Sequence, residues 1–224
     1  MAGSKRRRDC RFLLAGLLTL LMAFPFLEDI ARPLILILPL TVVFLAGVMV
    51  TDAEPVHVRR AIGIAAVQVG LTVVSLVLRE TGPTYWIAVA AALAATAALI
   101  LYSTHCVLRY VLRARFITRD QIYAGVCMYL MLGFAFGAVF YLVNILDPRS
   151  FAASADLAIR GENPDLMYFS FVTLATLGYG DITPRTNVAR SLAVIEALIG
   201  MLYIAIFMAR LVSMYSVATE HRRP

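Results

Sequence analysis

The sequence predicts an all-α membrane protein with six transmembrane helices and one short re-entrant helix between the fifth and the sixth. Three observations carry that prediction. Hydrophobic residues make up 61% of the 224-residue chain and charged residues 15%, with a mean hydropathy of +0.83, which leaves little polar surface for a soluble domain. The apolar residues fall into runs of about 17–25, the first slightly shorter, lengths that suit crossing a hydrocarbon core of about 30 Å. Between the last two runs lies a shorter apolar stretch, with a helix-start signal before it and a Gly-rich turn after it.

A basic cluster, Lys5-Arg6-Arg7-Arg8, precedes the first and shortest run at 12–27. No small-residue cleavage pattern follows, and Pro25 leads into Glu28-Asp29, so an uncleaved first helix with a cytoplasmic N-terminus is expected. The second span, 33–50, carries no charge. A polar loop with His57, Arg59 and Arg60 leads to the third span at 61–78, interrupted only by Gln68. After the turn Arg79-Glu80-Thr81-Gly82-Pro83, a fourth helix at 85–107 begins beside Trp86, placed as an interfacial anchor. Arg109, Arg113, Arg115 and Arg119 then predict a short cytoplasmic linker helix lying on lipid headgroups.

The fifth span, 122–146, contains Gly125, Gly133 and Gly137, small residues that let neighbours approach closely. A polar outer loop follows. Asn163-Pro164-Asp165 then supplies a cap, a proline at the first position and an acid in the first turn, which starts a helix over 164–175. That helix is too short to span, so it must enter and leave on one side, surrounded by protein. The sixth span covers 188–214.

Charge placement supports this topology. A net charge of +6 would alone suit a nucleic-acid binder, but the basic residues sit in short segments between apolar runs. They concentrate at the N-terminus and the fourth-to-fifth connection, as cytoplasmic segments of a multi-pass protein in the plasma (inner) membrane do, which puts both termini inside. Cys10, Cys106 and Cys127 fit no metal-ligand spacing and are expected to be reduced thiols, with Cys10 the one candidate for lipidation. His57, His105 and His221 are scattered and no polar catalytic cluster appears, so an enzyme is not expected.

The chemistry is concentrated in Thr173-Leu174-Ala175-Thr176-Leu177-Gly178-Tyr179-Gly180-Asp181. Gly178 and Gly180 can take positive φ, which lets successive carbonyls face one way. Thr176-Leu177-Gly178-Tyr179-Gly180, followed by Asp181, resembles the Thr-Val-Gly-Tyr-Gly selectivity filter of potassium channels, with Leu177 where Val is usual. The resemblance is to a bacterial six-helix potassium channel and extends from about residue 122 to the C-terminus.

The resemblance implies a homotetramer, since one loop per chain cannot close a ring. Backbone carbonyls of Thr176, Leu177, Gly178 and Tyr179 would then replace the hydration shell of K+. Thr176 would add its hydroxyl at the cavity end, and Asp181 would sit at the outer mouth. Tyr168, Phe169, Val172 and Thr173 would support the loop from behind. Val172 stands where some bacterial channels carry a Glu paired to the Asp after the filter, and that pair cannot form here. Gly200 matches the inner-helix hinge glycine, with close helix packing the alternative use of it. Met201, Ile204, Met208 and Val212, at 3–4 spacing, are candidates for the cavity wall and gate. Glu196 is an intramembrane acid. It is expected to brace the filter through Ser170 or Thr173, to sense protons, or to serve as a structural hydrogen-bonding residue.

The expected division is a basic N-terminus (1–11), a four-helix domain in the position of a voltage sensor (12–108), a linker (109–121), a pore domain (122–218) and a tail (219–224). A sensor moves arginines worth about 2.3 kcal/mol per charge per 100 mV, but the fourth helix has none over 85–102, so strong voltage gating is not expected. The function expected is passive K+ conduction, with no cofactor other than the permeant ion. Its partners are lipids and its own copies, and the gating ligand is not identified. A weakly selective monovalent cation channel is the alternative, because Leu177 and Ala175 alter the packing behind the filter. A potassium uptake transporter would need several such loops in one chain.

Overall fold

A computed structural model describes residues 10–23, 32–50, 55–78, 83–113, 119–153 and 165–220. Its helices are α1 (Cys10–Ala23), α2 (Arg32–Val50), α3 (Pro55–Val77), α4 (Pro83–Arg113), α5 (Arg119–Leu146), α6 (Leu166–Leu174) and α7 (Asn187–Glu220). Two short strands, β1 (Phe151–Ala153) and β2 (Ile182–Pro184), pair antiparallel, with Ala152 opposite Thr183. Among the described residues, four helices (α3, α4, α5 and α7) are long and apolar enough to cross a membrane. The 14 residues of α1 reach only about 21 Å.

Several boundaries depart from expectation. Proline at the first helical turn costs nothing, because its missing N–H would be unpaired there anyway. Pro55 therefore starts α3 early, and the expected loop carrying His57, Arg59 and Arg60 is helical. His57 Nδ1 meets the Tyr102 hydroxyl of α4 at 2.8 Å. No separate linker helix is present among the described residues: Arg109 and Arg113 continue α4, and Arg119 opens α5. Arg115 lies outside the described residues. The helix that holds the sixth expected span runs past 188–214, since α7 continues to Glu220 and takes in part of the expected tail. The two strands add a small β element to an otherwise helical chain.

Inside a membrane, lipid tails are as apolar as leucine, so helices associate through close packing and polar contacts. α3 buries Ala61, Ala65, Gln68, Thr72 and Ser75, a stripe at 3–4 spacing. The Thr72 and Ser75 hydroxyls donate to carbonyls of their own helix, at 2.9 and 2.7 Å, and so cross the apolar interior already paired. Gln68 instead reaches Thr41 of α2 at 3.1 Å. The core continues from the first four helices into α5 and α6 without a break. Phe44 of α2 meets Phe134 of α5 edge-on, and Phe134 meets Phe171 of α6 in the same way, with centroids 6.2 and 5.4 Å apart.

At the ends of these helices carrying Cys10, Tyr110 and Asp120, one carboxylate joins three of them. Asp120, in the first turn of α5, accepts from the Cys10 backbone N–H at 2.6 Å, the Cys10 thiol at 3.3 Å and the Tyr110 hydroxyl at 3.0 Å. An acid there suits the positive N-terminal ends of α1 and α5 together. Cys10 is buried, which does not suit lipidation. Asp120→Ala removes the acceptor and is expected to destabilise the helix junction by about 1–2 kcal/mol. A thermal melt of solubilised protein checks this, and a melt matching the unsubstituted chain contradicts it.

Candidate functional site

α6 is only nine residues long, about 14 Å, less than half of a bilayer. Its cap is Asp165 rather than the expected Asn163, which lies outside the described residues together with Pro164. The Asp165 carboxylate accepts from the backbone N–H groups of Met167 and Tyr168 at 3.0 and 3.1 Å, so one acid satisfies two orphan donors. Two glycines of α5, Gly133 and Gly137, make room for this helix. A Cβ on Gly133 would collide with the Phe171 ring, and one on Gly137 with the Met167 side chain.

The far end of α6 sets the conformation of the loop. The N–H of Leu177 bonds the Val172 carbonyl at 2.9 Å and the N–H of Thr176 bonds the Thr173 carbonyl at 3.0 Å. That is the paired closure of a Schellman motif. Its left-handed position is Thr176, with φ of 57°, where glycine is usual. Gly178 and Gly180 follow with φ of 58° and 79°. Positive φ therefore recurs at every second residue, separated by Leu177 and Tyr179. No described atom lies within 4 Å of a Cβ built on either glycine.

Beyond Gly180 the chain is held to the segment that follows α5. β2 pairs with β1, the Arg185 N–H donates to the Ser150 carbonyl at 2.8 Å, and Thr186 Oγ1 meets Ser150 Oγ at 3.4 Å. Beneath the strands, Phe140, Phe151 and Phe169 form a closed triangle with centroids 5.2–5.5 Å apart. Phe169 is thus buried, whereas Tyr168 is exposed. Asp181 accepts from the Ile182 N–H at 3.0 Å. The turn leading to β1 is tied by Asp147, whose carboxyl is held below its ordinary value by the Arg149 backbone N–H and then its guanidinium. The Asp147–Arg149 contact therefore loosens only as pH falls through that lowered value.

On the opposite side of the loop, a half-open recess of about 300 Å³ is lined by Leu174, Ala175, Thr176, Met201, Ile204 and Ala205. Met201 and Ile204 thus meet the C-terminal end of α6, whose carbonyl end carries partial negative charge. Met208 is exposed further along α7 and does not line the recess. The side chain of Val212 lies outside the described residues. Gly200 is buried at a point of close approach: a Cβ there would collide with the Leu174 carbonyl oxygen. α7 runs through it without interruption.

Two tyrosines escaped the sequence reading. Tyr129 of α5 donates to the Leu174 carbonyl at 3.1 Å, and Tyr203 of α7 donates to the Gly125 carbonyl at 2.6 Å, with their rings stacked 5.9 Å apart. A tyrosine within an apolar helix was the available signal, since its hydroxyl must find a partner there. Glu196 of α7 is fully buried and its Oε1 lies 2.5 Å from Ser170 Oγ. Of the two partners expected for it, the structure brings Ser170 within reach.

A multi-helix membrane protein with a nine-residue helix between two long ones, followed by a loop with positive φ at every second residue, has the form of an ion channel. Comparison with known proteins agrees: the family model described as "Ion channel" matches residues 127–217, from α5 into α7. The chain is 34% identical over 103 residues to two pore potassium channel c of Oryza sativa subsp. japonica, covering 46% of this chain and 22% of that protein. It is 37% identical over 98 residues to protein LctB of Bacillus caldotenax, covering 42% of this chain and 71% of that protein. No solved structure matches the chain. The chain belongs to the ion-channel family, whose potassium channels are among its relatives, and it is not an enzyme.

Proposed function

We propose that this chain is one subunit of a homotetrameric, potassium-selective channel that conducts passively through a filter made of Thr176, Leu177, Gly178, Tyr179 and Gly180. One observation carries the proposal: positive φ at Thr176, Gly178 and Gly180 alternates with Leu177 and Tyr179. Such alternation keeps successive peptide planes turned the same way, so a column of carbonyls can replace the hydration shell of a bare cation. The loop opens onto the recess at the end of α6, where the helix dipole favours a cation. Asp181 stands at the outer mouth, and Tyr168, Phe169, Val172 and Thr173 brace the loop.

Assembly follows from what α7 leaves uncovered. Val194, Leu198 and Leu202 are exposed in the single chain, an apolar surface that three further copies would cover around the axis. We place the six spans in the plasma membrane with both termini cytoplasmic, and α1–α4 beside the pore domain. With no arginine at 85–102 of α4, opening does not depend strongly on voltage. Met201, Ile204, Met208 and Val212 form the inner wall. Bending α7 at Gly200 to open it would part Gly200 from Leu174.

Native mass spectrometry should give four times the 24.6 kDa chain, and proteoliposomes should release K+ but retain Na+. A monomeric mass, or equal release of both ions, contradicts the proposal; equal release favours the weakly selective alternative.

A further inference from the structure

Glu196 is a buried acid on α7 outside the proposed filter, mouth and inner wall, and its surroundings fix where its proton must lie. Its Oε1 is 2.5 Å from Ser170 Oγ, and Ser170 Oγ is 2.7 Å from the Gly133 carbonyl oxygen. A serine hydroxyl has one proton to give, and a carbonyl has none. If Ser170 donates to Glu196, Ser170 Oγ and the Gly133 oxygen face each other at 2.7 Å with no proton between them. If Ser170 donates to Gly133, the contact with Glu196 needs a proton from the carboxyl. Both contacts are satisfied only in the second arrangement.

The rest of the environment agrees. Oε2 of Glu196 has no hydrogen-bond partner, and among the described residues no cation pairs with it. An ionised carboxylate in a membrane interior without a cation or a full set of donors is the costly state. The titratable group facing it from α5 is Tyr129, whose proton is already given to the Leu174 carbonyl. From α6 it meets the Ser170 hydroxyl.

We propose that Glu196 is a positioning residue for the filter. Its protonated carboxyl donates to Ser170, Ser170 donates to Gly133, and this relay of two hydrogen bonds holds α7, α6 and α5 in one register. Ser170 stands in the middle of α6, four residues before the Leu174 carbonyl that contacts Gly200 and Tyr129. Glu196 therefore acts on the 176–180 loop through the helix that ends in it. The consequence for selectivity rests on the function proposed above; the location of the proton does not.

The test combines infrared spectroscopy, hydrogen exchange and permeation on the full chain. The spectrum of the unsubstituted protein minus that of Glu196→Gln, at neutral pH, should contain the carbonyl stretch of a protonated carboxyl; its absence overturns the proposal. Amide exchange in α6 should accelerate about tenfold in Glu196→Ala and Ser170→Ala but stay unchanged in Glu196→Gln, whose amide can still donate to Ser170. The K+/Na+ permeability ratio should follow the same order. Equal impairment by Gln and Ala, or Ser170→Ala behaving as the unsubstituted chain, overturns it. Should Glu196→Ala fail to assemble, Ser170→Ala decides that arm. An unsubstituted chain without K+ selectivity would remove the proposed function, while the infrared and exchange results would still decide this one.

Discussion

Replacing Gly178 or Gly180 with alanine is expected to abolish selective K+ conduction while leaving α1–α7 folded. The reason is conformational rather than steric. No described atom lies within 4 Å of a Cβ at either position, so the methyl group has room within the chain. The backbone, however, sits at φ of 58° and 79°, where an L-residue costs about 1–2 kcal/mol. In the proposed fourfold filter that cost would be repeated in every subunit, and a peptide plane that turned away would remove a ring of carbonyls at once. A D-alanine introduced by semisynthesis takes positive φ without this penalty and should restore conduction. Selective current unchanged by L-alanine would contradict the assignment.

Gly200→Ala should fail for the opposite reason. Its φ is ordinary and alanine favours helix, but the new Cβ falls on the Leu174 carbonyl oxygen and within 2.9 Å of Leu174 Cδ1. A backbone oxygen cannot rotate aside as a side chain can, and this one also accepts from Tyr129. Overpacking of this kind costs about 1–3 kcal/mol, more than the roughly 1 kcal/mol that alanine gains over glycine in a helix. The end of α6 should shift and K+ current should be lost. Gly63 and Gly70 supply the control: both lie in α3 and no described atom lies within 4 Å of a Cβ on either. Gly63→Ala and Gly70→Ala should raise the melting temperature slightly, and Gly200→Ala should lower it. A Gly200→Ala melt that rises with the controls would contradict the close approach.

How much of this was legible in the sequence depended on whether the signal was local. The apolar runs, the short helix and the glycines at 178 and 180 are local patterns, and they lie where the loop's conformation requires them. The cap of α6 was harder, because Asn163 and Asp165 are both good caps; only the path of the chain determines which carboxylate or amide reaches two free N–H groups. The strands were not legible, since three residues are too few for alternation to register. Phe151 reads as loop until Phe140 and Phe169 close around it. Asp120 and Cys10 stand 110 positions apart, and no local periodicity reports such a pair. Ser170 could be named as a partner of Glu196, but Gly133 as the second acceptor could not, because a backbone carbonyl carries no sequence signature. Nor could the sequence weigh hinge against packing at Gly200, whereas the Leu174 carbonyl pressed against it displays the packing use directly.

The reversal potential under bi-ionic K+/Na+ conditions, with purified protein in a planar bilayer stepped over both polarities, tests the central claim most directly. A filter of carbonyl rings at 176–180 predicts a reversal potential close to the potassium limit, with open probability nearly flat in voltage. A reversal near zero would contradict potassium selectivity and assign the chain to weakly selective cation conduction.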